Sequence, residues 1–338
     1  MKCFHVSNFI AVLGLLFAYL WAGFEGVFIT ALLIFMEVSL SFDNAVVNAT
    51  ILKDMSEKWQ KRFLTWGMVI AVFGMRLLFP ILLVSFATEL SVLEVTTLAL
   101  EKPDEYSKHI LASNVQIAAF GGMFLLMVFL HFIFDESREI HWLGKIEKKL
   151  SKAGKLEAVE IVMALSVLIG LHSFLPDSDK LNALFYGVVG VLLYVVINSI
   201  MTLIMGKENA SANKELIKYG AKSGLMGFLY LEVLDMSFSL DGVVGAFAIS
   251  KDVVIIMLGL GVGAMFVRSL TIYLVRKNTL KNYIFLEHGA HYGIGALAVI
   301  MLISTMLHIS EVVTGLIGGG FIAVSLWSSI IYNRKNLS

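Results

Sequence analysis

The chain has 338 residues, of which 58% are hydrophobic and only 15% charged, with three prolines. A soluble globular chain is typically about 25% charged, so that class is excluded and a polytopic membrane protein is the natural reading. Lys plus Arg and Asp plus Glu both number 26, so net charge points to no nucleic-acid partner, and the single Cys3 excludes an intrachain disulfide or a thiolate metal cage.

A helix needs about 20 apolar residues to cross the hydrocarbon core. Ten stretches qualify in chain order: 9–23, 26–51, 63–86, 114–134, 157–174, 182–205, 224–250, 252–275, 289–308 and 311–332. The first follows Lys2 without a small-residue cleavage site and reads as a retained anchor. The segment from Glu89 to Lys108 contains "LEVTTLALEKPDEY", too acidic for a span, and is expected as an external loop or interfacial helix. The run from Asp135 to Glu157 alternates both signs of charge and is expected as a solvated or surface-lying cytoplasmic helix. No Gly/Ser-rich linker divides the chain. The expected fold is all-α, one membrane domain over 1–338 with nine or ten transmembrane helices.

Basic residues set the orientation, because cytoplasmic loops are enriched in Lys and Arg. With the amino terminus inside, the cytoplasmic face receives Lys2, Lys53–Arg62, Arg138–Lys155, Lys207–Lys222, Arg276–Lys281 and Arg334–Lys335. The other face keeps Lys102, Lys108, Lys180 and Lys251. Both termini are then cytoplasmic.

Two charged motifs recur inside the apolar stretches. At an offset of 198 residues "SFDNAVV" (41–47) falls on "SLDGVVG" (239–245), Asp43 on Asp241, Asn44 on Gly242, Ser41 on Ser239, Ser39 on Ser237 and Glu37 on Asp235. Arg76 and Arg268 occupy similar places in the helices that follow. The first motif helix runs outside to inside and the second inside to outside, so 26–134 and 224–308 are expected as inverted repeats, an architecture of secondary transporters. A spacing of six sets two carboxylates about 120° apart on a regular helix. Bringing them together calls for a broken turn near Asp43–Asn44 and Asp241–Gly242, with the serines satisfying freed carbonyls.

The donor set is carboxylate, hydroxyl and amide oxygen, the hard ligands of Mg²⁺, Ca²⁺ and Mn²⁺. Glu37, Asp43, Asp235 and Asp241 against Arg76 and Arg268 leave two negative charges, which a divalent cation neutralises. Glu232, with Ser41 and Ser239, is an additional ligand or a proton acceptor. Arg76 and Arg268 need carboxylate partners among the motif residues and Glu232. Charges at the bilayer centre cost at least about 2.5–3.5 kcal/mol, whereas small residues such as Gly122, Gly261 and Gly263 clamp helices more cheaply. His288 and His291 are read as interfacial or hydrogen-bonded rather than as ligands. Met36 and Met236 are not repeat-equivalent and are read as packing residues.

At these residues the chain resembles the TerC family of integral membrane proteins, within the lysine-exporter superfamily. The resemblance lies in "MEVSLSFDNAVV" (36–47), "LEVLDMSFSLDGVVGAFAIS" (231–250), "WGMVIAVFGMR" (66–76), the helix ending in Arg268 and "FLEHGAHYGIGALAVIML" (285–302). The chain departs from it at Gly242, where many relatives carry a small polar residue, and in the acidic segment near Glu94–Glu105. That family is linked to tellurite resistance and includes manganese exporters. The resemblance implies that Glu37, Asp43, Asn44, Asp235 and Asp241 bind the ion, in a bacterial inner membrane, without a prosthetic group. The expected function is export of a divalent cation, Mn²⁺ foremost, by alternating access, with the lipid bilayer as surroundings and a homo-oligomer left open. Two alternatives stand beside it: an exporter of an amino acid or other small solute, and a membrane scaffold or assembly factor acting in metal or tellurite stress through 135–157. No nucleophile–base pair or metalloprotease signature lies at membrane depth, so no enzyme is expected.

Overall fold

The computed structural model describes residues 4–336 apart from positions 54, 89, 157, 206–223, 278–282 and 308. The basic run 207–222, and part of 276–281, therefore lie outside the described residues. Among those described there are helices and no strands, since a backbone in hydrocarbon must satisfy its own hydrogen bonds. In order they are α1 (His5–Leu40), α2 (Phe42–Leu52) and α3 (Glu57–Arg62), then two π-helical runs, Phe63–Gly67 and Ile70–Leu78, and α4 (Phe79–Thr88). Next come α5 (Val92–Glu101), α6 (Pro103–Ala112), α7 (Asn114–Phe134), α8 (Lys145–Ala153), α9 (Val159–Phe174) and α10 (Asp177–Met205). The second half holds α11 (Leu225–Ile249), α12 (Val253–Arg276), α13 (Leu286–Ser304) and α14 (Glu311–Asn336).

Seven of the described helices are long and apolar enough to cross a bilayer. Helix α11 is 25 residues long and as apolar over most of its length, but carries Glu232, Asp235 and Asp241. Large apolar side chains lie exposed along the rim, among them Phe28 and Phe35 of α1, Leu181 and Leu192 of α10, and Leu316 and Trp327 of α14. Such a surface fits lipid rather than water.

Helix α1 spans 36 residues and folds back at its middle. Gly23 takes φ 65° and ψ −152°, a backbone conformation essentially confined to glycine. A methyl on Gly26 would lie 2.7 Å from the carbonyl oxygen of Ala18, which places the two limbs side by side. Helix α12 records the same reversal. On the outgoing limb Ser7 bonds the Met265 carbonyl at 3.0 Å and Trp21 donates to Asp252 at 2.9 Å. On the return limb Gly26 meets Ile255, Leu33 meets Gly259 and Glu37 meets Gly263. One limb is antiparallel to α12 and the other parallel, so the expected spans 9–23 and 26–51 are both present. Gly259 and Gly263, one turn apart, form the groove that receives Leu33 and Glu37, the small-residue packing that substitutes for a hydrophobic driving force in lipid.

The motif helices are antiparallel to each other. Asn44 touches Asp235, and Gly242 touches Glu37, so one number falls as the other rises. The two halves also face each other through α7 and α13, where Gly122 meets Leu302 and Gly295 meets Phe129.

Two of the basic segments lie beside the starts of second-half helices. Trp59 packs on Phe228 at the start of α11, and Trp142 packs near Phe285 at the start of α13. At the other end α5 and α6 fold over the bundle. A capping box of Ser91 and Glu94 starts α5, Tyr106 packs edge-on against Phe247, and Lys251 pairs with Asp104 at 2.6 Å. The acidic segment is thus two short helices rather than a bare loop.

Within 135–157 the expected solvated or surface-lying helix is shorter than the segment, and two of its charges turn inward. Only Lys145–Ala153 is helical within it, and Arg138 and Glu147 are buried, 7% and 0% exposed. Glu147 accepts hydrogen bonds from the Trp142 amide at 2.8 Å and the Tyr292 hydroxyl at 2.7 Å, and so ties this segment to α13. Alternating charge conceals burial when the partner of a buried carboxylate sits in a distant helix.

Candidate functional site

The site is built on the interruption between α1 and α2. Ser41 leaves helical geometry at φ −100° and ψ 17°, so the chain restarts its helix two residues earlier than the expected break. The restart sets Asp43 in the first turn of α2, where the free amides and helix dipole favour negative charge. The second break was expected at Asp241–Gly242 and does not occur: α11 runs unbroken from Leu225 to Ile249. The side chain of Asp241 lies outside the described residues.

Glu37, Asp43, Asn44, Glu232, Asp235, Arg76 and Arg268 are each no more than 7% exposed. They form two arginine-held groups joined across the pseudo-twofold. In the first, Arg76 pairs with Glu37 and donates to the Ala71 carbonyl at 2.7 Å. Ser41 donates to Glu37 at 3.1 Å. In the second, Arg268 lies 3.5 Å from Asp235 and 3.6 Å from Glu232. It also donates to the carbonyls of Phe63 and Gly67 and stacks 4.4 Å over the Phe63 ring. Both arginines therefore have the carboxylate partners that the sequence called for.

Each group contains a residue from the other repeat. Asn44 donates to Asp235 at 2.8 Å, and the equivalent Gly242 sits against Glu37, where a methyl would come within 3.2 Å of the carboxylate. The serines obey the same symmetry in part. Ser39 and Ser237, at equivalent positions, each donate to the carbonyl one turn back. Ser41 bonds Glu37, whereas its equivalent Ser239 is buried without a hydrogen-bond partner.

Several acceptors here are uncommitted. The amide oxygens of Asn44 and Asn48 and both carboxylate oxygens of Glu232 are buried without a hydrogen bond. Asp43 has no basic neighbour among the described residues. Its outer oxygen faces Gly293 of α13 and Gly318 of α14, and a methyl on either would approach within 3.4 and 3.6 Å. Burying such atoms costs roughly 1–3 kcal/mol each. If all four described carboxylates are ionised, the two arginines leave two negative charges uncompensated. Among the described residues no three His, Cys, Asp or Glu side chains gather as a metal cage. Glu37, Glu232 and Asp235 are held by the arginines instead, and Asp43 stands apart from both.

Three contributors went unseen in the sequence: Asn48, one turn beyond Asn44 and on its face, and the facing glycines Gly293 and Gly318. The spacing of four could have flagged the first. The glycines carry no signal without tertiary structure. His288 and His291 are hydrogen-bonded to the Ile140 and Glu287 carbonyls at 3.0 and 2.8 Å, with His291 stacked on Phe132, as the non-ligand reading requires.

Residues 42–336 match the model of a family described as "Protein of unknown function (DUF475)". That span covers most of the chain, so the chain belongs to this family. Glu37 and Ser41 lie just before the matched region, and the carboxylates and arginines after them lie within it. No curated protein and no solved structure matches.

Proposed function

We propose that this member of the family is a divalent cation transporter that works by alternating access, with Mn²⁺ as the foremost cargo. The observation that carries the reading is the reciprocal crossing of Asn44 on Asp235 and Gly242 on Glu37. It sets two antiparallel acidic helices at one depth, each with a buried arginine. Structural clamping alone does not account for it, since the Gly259–Gly263 groove already packs α1 onto α12 without charge. The unbonded oxygens of Asn44, Asn48 and Glu232 are hard donors suited to such an ion.

For a cation to bind between the groups, Arg76 and Arg268 must give up carboxylates they hold. Arginine release and cation capture are therefore one exchange, and the charge of the centre changes little through it. The preference for Mn²⁺ over Ca²⁺ or Mg²⁺ rests on the resemblance to TerC proteins. The cytoplasmic placement of the basic segments, with both termini, rests on the Lys/Arg asymmetry, and the outward direction of transport again on the resemblance.

The test is flux in sealed vesicles holding the purified chain, with Mn²⁺, Ca²⁺, Mg²⁺ and Zn²⁺ offered singly, with and without a pH gradient. Saturable movement of a divalent ion is expected. Movement of lysine or another amino acid with no cation flux would replace this reading with the solute-exporter one. Absence of both would leave a scaffold role.

A further inference from the structure

The polar segment after α7 contains a feature that the transport reading does not use. Arg138 is buried, yet none of its three side-chain nitrogens has a hydrogen bond. Its ionic neighbour is Glu147, at 3.8 Å, and its guanidinium lies 3.8 Å over the Phe132 ring. Glu147 is already engaged by the Trp142 amide and the Tyr292 hydroxyl. Burial holds Arg138 below the usual guanidinium range even with Glu147 beside it.

Arg138 opens onto a cavity of about 440 Å³ lined with it by Glu136, Glu139, His141, Lys148, Ser151, Lys152 and Lys155. Lys148, Ser151, Lys152 and Lys155 recur at spacings of three and four and so share one face of α8 and its continuation. Four cationic groups face two carboxylates at the mouth, with Glu147 behind Arg138 as a third, a net excess of one positive charge. A different stripe of the same segment, Leu143, Ile146 and Leu150, is apolar and exposed. A basic face beside an exposed apolar stripe is the pattern of a helix lying at headgroup level.

We propose that this cavity binds a phosphate-bearing anion, with Arg138 as the inner donor and Lys148, Lys152 and Lys155 as the rim. Arg138 carries a planar set of unbonded N–H groups, shielded from solvent at the inner wall, whose fork suits two-pronged capture of phosphate oxygens that enter there. The lysines supply charge without fixed geometry. The exposed Leu143–Leu150 stripe sets the cavity where the headgroup of an anionic phospholipid lies. A free phosphate group offers the same chemistry, and the two sources are separable.

The full-length chain in a neutral detergent is titrated in two arms. One receives inorganic phosphate, and the other receives phosphatidic acid in mixed micelles with phosphatidylcholine as control. Saturable binding and a raised unfolding temperature are read by native mass spectrometry and thermal unfolding. The expected result is one phosphatidic acid per chain, weakened at least tenfold in Arg138→Gln and in Lys148→Gln/Lys152→Gln, with phosphatidylcholine inert. Saturation by inorganic phosphate with the same sensitivity supports the site with a free anion as its ligand. If Arg138→Gln fails to fold, the exposed lysine pair carries the test. Binding unchanged in the lysine variant, or no saturable binding in either arm, overturns the proposal. Neither result bears on cation flux, so the two readings fail independently.

Discussion

The two repeats carry the same charges on different backbones. In the first, the motif helix is interrupted at Ser41, and Arg76 sits in a π-helical run and, among the described residues, bonds within its own repeat, to Glu37 and Ala71. In the second, α11 and α12 are regular helices. Arg268 reaches across the interface to the carbonyls of Phe63 and Gly67 while facing two carboxylates. π-Turns and helix breaks leave backbone groups that can re-pair at low cost, and they recur at functional sites. Under the proposed transport, the contrast makes the first repeat the one expected to move and the second the anchor.

The strongest way to break that division is to remove one carboxylate from each side. Asp43→Asn and Asp235→Asn should both reduce cation flux in vesicles to background while leaving membrane insertion intact. Wild-type flux in either would detach that carboxylate from transport, and with it one half of the comparison. Arginine swaps sharpen it. Lysine keeps the charge but cannot span two carbonyls, two carboxylates and a ring face. Arg268→Lys should fold and bind cation yet turn over on the order of tenfold more slowly, the equivalent of about one lost buried hydrogen bond. Arg76→Lys has fewer contacts to replace, and its loss should be clearly smaller. Equal losses, measured as binding and flux on one preparation, would remove the asymmetry.

Packing provides a third comparison. A methyl on Gly263 would lie 2.6 Å from the Glu37 Cβ and Cγ, close to backbone, whereas one on Gly242 would lie 3.2 Å from the carboxylate end of the same side chain. Gly263→Ala should therefore destabilise by about 1–3 kcal/mol through overpacking, and Gly242→Ala by less, measured as unfolding in detergent. The reverse order would mean that α12 yields and is no anchor.

The smallest effect lies at the far end, where the repeats meet in water. Lys251 holds the Asp104 carboxyl below its ordinary range by a direct hydrogen bond and its charge. A depressed carboxylate adds stability above its unfolded pKa of about 4, and that stability is lost as pH falls through the folded value. Thermal stability measured downward from pH 6 should fall slightly less in Lys251→Gln than in wild type. The difference should shrink in high salt, because both groups are exposed. An unchanged acid profile would mean that this pair does not tie α6 to the second repeat.

The charged centre was legible in the sequence because each buried charge is expensive, so the coincidence of Glu37, Asp43 and Arg76 with Asp235, Asp241 and Arg268 is informative. Antiparallel motif helices follow from that offset and the span count, and the Asn44–Asp235 contact bears out their geometry. Helical irregularity was not legible. Nothing in "IAVFGMRLL" distinguishes a π-run from an α-helix, and symmetry suggested two broken motifs where only one is broken. The burial of Arg138 and Glu147 was invisible too, because their partners Phe132 and Tyr292 belong to other helices.

The fold-back at Gly23 has a consequence for the order of events on the ribosome. Both limbs of that hairpin find their packing partners, Gly259, Gly263 and Ser269, more than 200 residues later. At about 5–20 residues per second that is a wait of roughly 10–50 s. Charge keeps a shorter clock. Arg76 emerges 39 residues after Glu37, and Arg268 is likewise encoded in the helix directly after Asp235. Each acid can thus be neutralised by the next helix to be inserted, long before the final packing forms. A nascent chain stalled between α4 and α11 should carry its Glu37–Arg76 pair already made and its hairpin still undocked.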